Sequence, residues 1–339
     1  MSSETKKKTN WRSQKEAYQE ALDYMQGRQK GTITSLRTPW QKLDDAAADG
    51  IEWHSTIVIA GRPASGKTLI KDQIVREAHE RNQNVAFRVL EFQFEMVGRV
   101  SAMRSFSSHI SKPYKYLCSA EGAITKEHLV QCFNYAKKMT SHPIDVVDEP
   151  CTVNEFCQIV AEYMESHATI VKDDAGNVTK TYTKTMVTLD HSLLVKKAAF
   201  EKDKLETLFN FGEALTRLKR RYPIIFIILS QLNRDIDRPE RNEDGKYGNF
   251  VLESDLYGAD AMLQHADMVI GINRPGKQKI HYYGVERYII EDETVMVWHF
   301  IKARNGDTRM SFMRTEFDKM RIVEMPSPAT QERHIKTRS

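Results

Sequence analysis

An α/β fold, with a mostly parallel central sheet flanked by helices, is what this sequence predicts, and two patterns carry the expectation. From Thr38 onward, apolar runs of strand length alternate with helical stretches, the order in which parallel strands and crossover helices follow one another. Between the first such strand and its helix lies Gly61-Arg62-Pro63-Ala64-Ser65-Gly66-Lys67-Thr68, a complete G-x-x-x-x-G-K-[ST] loop in the required strand-to-helix context.

The elements follow in chain order. Residues 1–10 are polar and lysine-bearing and read as a tail. From Trp11 to Gln26, Tyr18, Ala21, Leu22 and Met25 recur three or four residues apart, the spacing of a short amphipathic helix whose apolar stripe needs a surface to lie against. The strand runs are Thr56–Ala60, Val85–Leu90, Thr185–Leu189, Ile224–Leu229, Met268–Ile272 and Val295–Ile301. Leu69–Arg81 is the helix after the glycine-rich loop. Thr152 and Glu155 form a capping box that opens a helix over Val153–Ser166. Leu205, Leu208, Leu215 and Leu218 mark another, ending near Tyr222 and Pro223. Asp173–Thr181 carries Asp-Ala-Gly-Asn and reads as a turn, or a hairpin leading into the Thr185 strand. Asp235–Ser254 is long and polar, the pattern of a mobile surface loop.

Composition narrows the class. The 339 residues are 40% apolar and 28% charged, which excludes collagenous, disulfide-framework and disordered chains. Fifty Lys and Arg against 46 Asp and Glu give +4, which neither announces nor forbids a nucleic-acid partner. Cys118, Cys132, Cys151 and Cys157 make no C-x-x-C pair, so neither a zinc site nor a disulfide scaffold is suggested and a reducing cytoplasm is the simplest compartment. No apolar run reaches the roughly 18 residues of a membrane span.

The glycine-rich loop is built to hold phosphates. Its glycines let backbone N–H groups curl around an anion at a helix N-terminus, Lys67 brings a point charge to the β and γ phosphates, and Thr68 offers a hydroxyl to Mg²⁺. Asp190, at the end of the Thr185 strand, is the acidic partner such a Mg²⁺ site needs. Gln231 ends the Ile224 run as a polar group able to sense a γ-phosphate. Hydrolysis also needs a group that polarises water, and here Glu95 and Glu91 are rivals. Because open α/β sheets bind ligands at the carboxyl ends of their strands, Gly61, Glu95, Asp190 and Gln231 converge on one edge.

Together these segments resemble the motor domain of the DnaB-family replicative helicases, RecA-like P-loop ATPases. The resemblance spans roughly Thr38 to Val323. It includes Thr38-Pro39-Trp40, Leu43-Asp44, the loop Gly61–Thr68, Phe94-Glu95-Met96, Leu189-Asp190-His191 and Leu229-Ser230-Gln231-Leu232-Asn233-Arg234. Ser254-Asp255-Leu256, Gln264, Ala266-Asp267 and Lys302-Ala303-Arg304-Asn305-Gly306 complete it. It favours Glu95 over Glu91, since the family's acid precedes Met and is followed nine positions on by Arg, as Met96 and Arg104 are here. It implies ATP and Mg²⁺ as ligands, Asp190 as the acidic Mg²⁺ partner and Gln231 as the γ-phosphate sensor. Lys302 and Arg304, two apart at a strand end and so expected on one face, would reach the nucleotide of the adjacent subunit, the arginine as a finger supplied in trans.

The resemblance further implies loops that grip the single-strand backbone with cations. The corresponding stretches offer Lys196, Lys197, Lys202 and Lys204, then Arg238, Arg241 and Lys246. Where the family has Arg-Glu-Ser-Gly after Ser-Asp-Leu, this chain has Tyr257-Gly258-Ala259-Asp260; the arginine is missing, and Tyr257 either stacks on a base or packs. The family's cellular members carry a helical collar, which this chain lacks before Thr38, so a phage or mobile-element origin is expected. The segment before Thr38 resembles the linker helix that docks on a neighbouring subunit. The expected layout is a tail (1–10), an arm (11–37), one RecA-like motor domain (38–325) and a C-terminal tail (326–339). The expected function is a ring-shaped, ATP-dependent helicase or translocase on single-stranded DNA. It would act in DNA replication as a homo-oligomer, a hexamer, with a primase or helicase loader as partner. Two other readings are a RecA-like recombinase or repair ATPase forming filaments, and an ATPase that uses nucleotide only to control assembly.

Overall fold

Six adjacent strands that run the same way, with three more antiparallel on one side, carry the molecule. The computed structural model describes residues 11, 13–94, 98–172, 178–242, 250–258 and 263–330. The chain falls into two units, Met1–Ser35 and Leu36–Ser339. In the first, α1 (Gln14–Gln29) begins at a capping box in which Ser13 and Glu16 satisfy each other's backbone N–H groups. That box sets the helix start three residues beyond the Trp11 at which the apolar spacing begins. Tyr18, Leu22 and Met25 are exposed.

The second unit opens with α2 (Gln41–Ala46), β1 (Ser55–Gly61) and α3 (Lys67–Arg81). Next come β2 (Phe87–Phe92), α4 (Gly98–His109), α5 (Tyr114–Leu117), α6 (Lys126–Met139) and β3 (Ile144–Val147). Then α7 (Val153–Ser166) leads into the hairpin β4 (Thr169–Lys172) and β5 (Val178–Thr181), followed by β6 (Lys184–Leu189), α8 (Lys204–Arg221) and β7 (Ile224–Gln231). The last part comprises α9 (Pro239–Asn242), β8 (Met268–Asn273), the short pair β9 (Tyr282–Tyr283) and β10 (Tyr288–Ile289), β11 (Val295–Ala303), β12 (Met310–Glu316) and β13 (Arg321–Glu324).

Among the described residues the main sheet has the order β13-β12-β11-β8-β1-β7-β6-β2-β3. From β8 to β3 every neighbouring pair is parallel; β11, β12 and β13 are antiparallel to their neighbours. The expected α/β fold is therefore present. Alternation along each strand splits the core into two layers. Val58 and Ala60 of β1, with Phe226 and Ile228 of β7, face Phe156 of α7 and Phe211 and Leu215 of α8. Ile57 and Ile59, with Ile225 and Ile227, face Ile70 and Ile74 of α3 and the pair Trp40 and Trp298, whose rings meet edge to face at 4.9 Å.

Three expectations are corrected. The second strand begins at Phe87, two residues later than Val85, because Val85 N–H closes a turn on Asn82 O after α3. The stretch from Asp235 to Ser254 is not bare loop: it holds 3₁₀ turns at Arg234–Asp237 and Glu253–Asp255 and the short α9, while residues 243–249, with Lys246, lie outside the described residues. Helices α4 to α6 and strands β3, β12 and β13 were not anticipated. Among the described residues no helix is long and apolar enough to cross a membrane.

Candidate active site

Strand register brings the phosphate loop to the expected edge. Gly61 lies opposite Gln231, and Leu189, opposite Ile228, delivers Asp190 to the same end of the sheet. After β1 the chain curls through Ala64 (φ 59°) and Gly66 (φ 103°), both left-handed. A Cβ on Gly66 would meet Met296 Cε at 2.7 Å, and one on Gly61 would meet Ser65 Oγ at 2.4 Å, so both glycines are steric requirements. Gly66 is also the N-cap of α3 and provides no side-chain cap. The first-turn N–H groups are thereby left for an anion. Lys67 Nζ donates to Gly61 O at 2.8 Å and Arg62 O at 3.0 Å, which folds the ammonium over the loop. Ser65 is buried and its Oγ has no hydrogen-bond partner.

Residues 63–69, Asp190, His191 and Gln231 line one cavity of about 440 Å³. Asp190 is 4% exposed, and Phe94 N–H donates to its Oδ1 at 3.0 Å, which fixes the carboxylate. Leu193 N–H donates to His191 Nδ1 at 3.2 Å, so the imidazole proton sits on Nε2 and faces the Gln231 carboxamide at 2.9 Å. Thr68 and Asp190 on one cavity wall suit a hard divalent cation, which takes oxygen ligands.

Glu91 is spent elsewhere. Lys71, fully buried, lies 2.9 Å from both Glu91 and Asp72. Burial pulls the Lys71 pKa down, but the two carboxylates outweigh it and hold the pKa well above the ordinary lysine value. Glu95 lies outside the described residues.

The chain matches the family model described as "DnaB-like helicase C terminal domain" over residues 35–322. The chain belongs to this DnaB-like family. It is 23% identical over 244 residues to the replicative DNA helicase DnaB of Leifsonia xyli subsp. xyli, 72% of this chain and 48% of that protein. It is 24% identical over 268 residues to that of Helicobacter pylori, 78% of this chain and 49% of the relative. It thus spans about half the length of the curated relatives it matches. The same fold is found in the solved ATPase domain of a phage protein, with a TM-score of 0.74, 17% identity and coverage of 94% of this chain and 100% of that one. It is found also in a DnaB-like replicative helicase solved for its interactions with primase, with a TM-score of 0.73, 17% identity and coverage of 94% and 68%. Members of the DnaB-like ATPase family generally hydrolyse ATP, and the domain implies nucleotide binding.

Against this DnaB-like frame, Lys302 and Arg304 stand away from the phosphate loop of their own chain. β11 is antiparallel to β8, so Ala303 pairs with Met268, and Met268 pairs with Ile57. Four residues of β1 separate that level from Gly61, roughly 13 Å of strand. The register shifts between Phe300 and Lys302, and Arg304 lies one residue past the strand, so the expected two-apart strand geometry is replaced by a bulge. Both side chains nonetheless turn to one neighbourhood: Lys302 Nζ donates to Leu263 O, and Arg304 Nη1 lies 3.1 Å from Asp267 Oδ1. Burial, with repulsion from Arg304, lowers the Lys302 pKa.

The candidate DNA-contacting cations divide. Lys196 and Lys197 are exposed, although Lys197 Nζ donates to Glu201 O at 2.6 Å. Arg238 is exposed and pairs with Asp235 at 2.7 Å. Arg241 is corrected: it is committed to Asp255, a carboxylate 1% exposed, and to Phe250 O, because a buried carboxylate demands a cation. Gly258 (φ 65°) faces α8, where a Cβ would lie 3.1 Å from Leu208 Cδ1. Tyr257 is 37% exposed and its N–H donates to Gln231 O at 3.0 Å.

Sequence reasoning missed Arg274, Lys277, Phe317 and Met320 on the phosphate cavity, and gave Arg104 no role there. The Arg274 guanidinium sits 4.3 Å from the centre of the Phe317 ring. Nothing local marks this pair, which comes from two segments 43 positions apart (274 and 317).

Proposed function

We propose that the chain hydrolyses ATP in a ring of identical subunits that moves along single-stranded DNA and unwinds duplex during replication. One observation carries the reading: the phosphate loop, Asp190 and Gln231 occupy one edge of the sheet while Lys302 and Arg304 occupy the other. A head-to-tail contact between copies brings the two edges together, and repeating that contact closes a ring.

In the proposed site the loop N–H groups and Lys67 bind the phosphates of ATP. Mg²⁺, held by Thr68 and Asp190, supplies neutralising charge for the β and γ oxygens when bound. Glu95 draws the proton from the attacking water, and Gln231 contacts the γ-phosphate. Arg274 and Phe317, already stacked, offer a slot for the base. Lys302 and Arg304 of the next subunit stabilise the charge that develops on the transferred phosphoryl group, a contribution of about 10³ to 10⁵ in rate for an arginine finger. The hydrogen bond from Tyr257 N–H to Gln231 O supports a direct link between the γ-phosphate sensor and the loop that carries the DNA contacts. The exposed Tyr18, Leu22 and Met25 stripe of α1 suits docking on a neighbour. The partner class follows from one DnaB-like helicase structure solved with primase in view: a primase or loader.

The test mixes Lys67→Ala and Arg304→Ala subunits. Each alone is inactive, whereas a 1:1 mixture places an intact loop against an intact finger at about a quarter of head-to-tail contacts and recovers a matching share of ATPase. A mixture no more active than either variant overturns shared sites. Stimulation of the wild-type ATPase by single-stranded DNA, with closed rings in electron micrographs, separates this reading from filaments or an assembly switch.

A further inference from the structure

A second cavity, of about 420 Å³, lies between α3, α4 and α6 and the ends of β2 and β3, away from the phosphate loop. Its size falls in the range of small-molecule sites. Val75, Phe106, Met139 and Ile144 give it an apolar wall. Into that wall are set Arg76 and Gln93, 7% and 6% exposed. Arg76 Nη2 donates to Met320 O at 3.2 Å, but Nη1 has no partner, and among the described residues no carboxylate pairs with this guanidinium. Gln93 Oε1 and His142 Nε2, also on the cavity, are likewise unpartnered.

A buried guanidinium without a counter-ion is costly, and the cost is recovered when an anion arrives. The acids that share the cavity wall cannot supply it, because Asp72 and Glu91 are both held by Lys71 at 2.9 Å. The room and the apolar lining exclude a bare inorganic anion as the best fit. We propose that this cavity binds a small carboxylate with an apolar body, such as an aryl carboxylate. The carboxylate sits on Arg76 Nη1 and the ring lies among Val75, Phe106 and Met139. Gln93 meets the ligand's remaining polar edge.

The probe is benzoate, titrated into the full chain by calorimetry and ligand-observed NMR, with toluene and benzamide as matched controls. Saturating ATPγS and Mg²⁺ are present throughout, so that the phosphate loop cannot be the binding site. Benzoate binds more tightly than either control. Arg76→Met lowers benzoate affinity by about tenfold or more, the usual weight of a buried charge-assisted contact, and leaves toluene binding in place. Ala102→Trp, from the α4 wall, fills the space and abolishes binding of all three. Should Arg76→Met fail to fold, Ala102→Trp still decides. The proposal is overturned if benzoate binds no better than toluene, or if its binding survives Ala102→Trp.

Discussion

At the scale of single residues, the buried charges are the sensitive points. Lys71 neutralises two carboxylates from a fully buried position, so Lys71→Met leaves Glu91 and Asp72 without their cation. Breaking a buried pair on one side costs about 3–5 kcal/mol. The urea midpoint of Lys71→Met should fall accordingly at unchanged slope, while Lys71→Met combined with Glu91→Leu should regain part of the loss. His299 sets a pH dependence. It is 5% exposed, its Nε2 lies 2.6 Å from Tyr283 Oη, and burial depresses its pKa to about 3. The unfolded chain, with an ordinary histidine near 6.5, takes up the proton first as pH falls. Stability from this group is therefore complete above about pH 6.5 and is lost toward pH 3, at up to about 1.4 kcal/mol per pH unit. Urea unfolding at a series of pH values should show this slope in the wild type, and His299→Phe should flatten it. A slope unchanged in His299→Phe would assign the acid sensitivity to other groups.

At the scale of elements, what local chemistry dictates was legible and what tertiary packing dictates was not. The Thr152 and Glu155 box fixed α7 to the residue, because a capping box is written in four adjacent positions. The phosphate loop was equally plain, and it also explains why Gly66 tolerates no side chain: its φ is left-handed and Met296 and Phe317 close over it. Gly66→Ala should weaken nucleotide binding by at least about tenfold, since strain of about 1–3 kcal/mol falls on the anion cradle itself; fluorescent-nucleotide titration checks it, and wild-type affinity would show that the loop relaxes without cost. By contrast, α4 reads poorly from sequence because Ser101, Ser105, Ser107 and Ser108 interrupt its apolar spacing. The Arg274 and Phe317 pair and the Arg76 cavity exist only once distant segments meet. Arg241 misled for a related reason: a basic residue in a polar stretch looks available until its buried acid, Asp255, is placed.

At the scale of the whole molecule, the antiparallel turn from β8 to β11 has the largest functional consequence. It sends Lys302 and Arg304 to the end of the sheet opposite the phosphate loop, so an isolated subunit cannot apply its own finger to its own nucleotide. The net charge of +4 gives little long-range repulsion between copies, and the exposed stripe on α1 adds apolar surface for association. Hydrolysis in such a system is a property of the contact between copies. ATPase per subunit should therefore rise with protein concentration and level off as assembly saturates. The low-concentration limit should lie about 10³-fold or more below the plateau, the usual worth of the absent arginine. Arg304→Ala should remain at that lower limit at every concentration while nucleotide titration shows its phosphate loop still loading. Turnover followed across dilution, beside native mass on the same samples, checks both halves. Activity per subunit that stays constant while the assembly falls apart would mean that one chain holds a complete site.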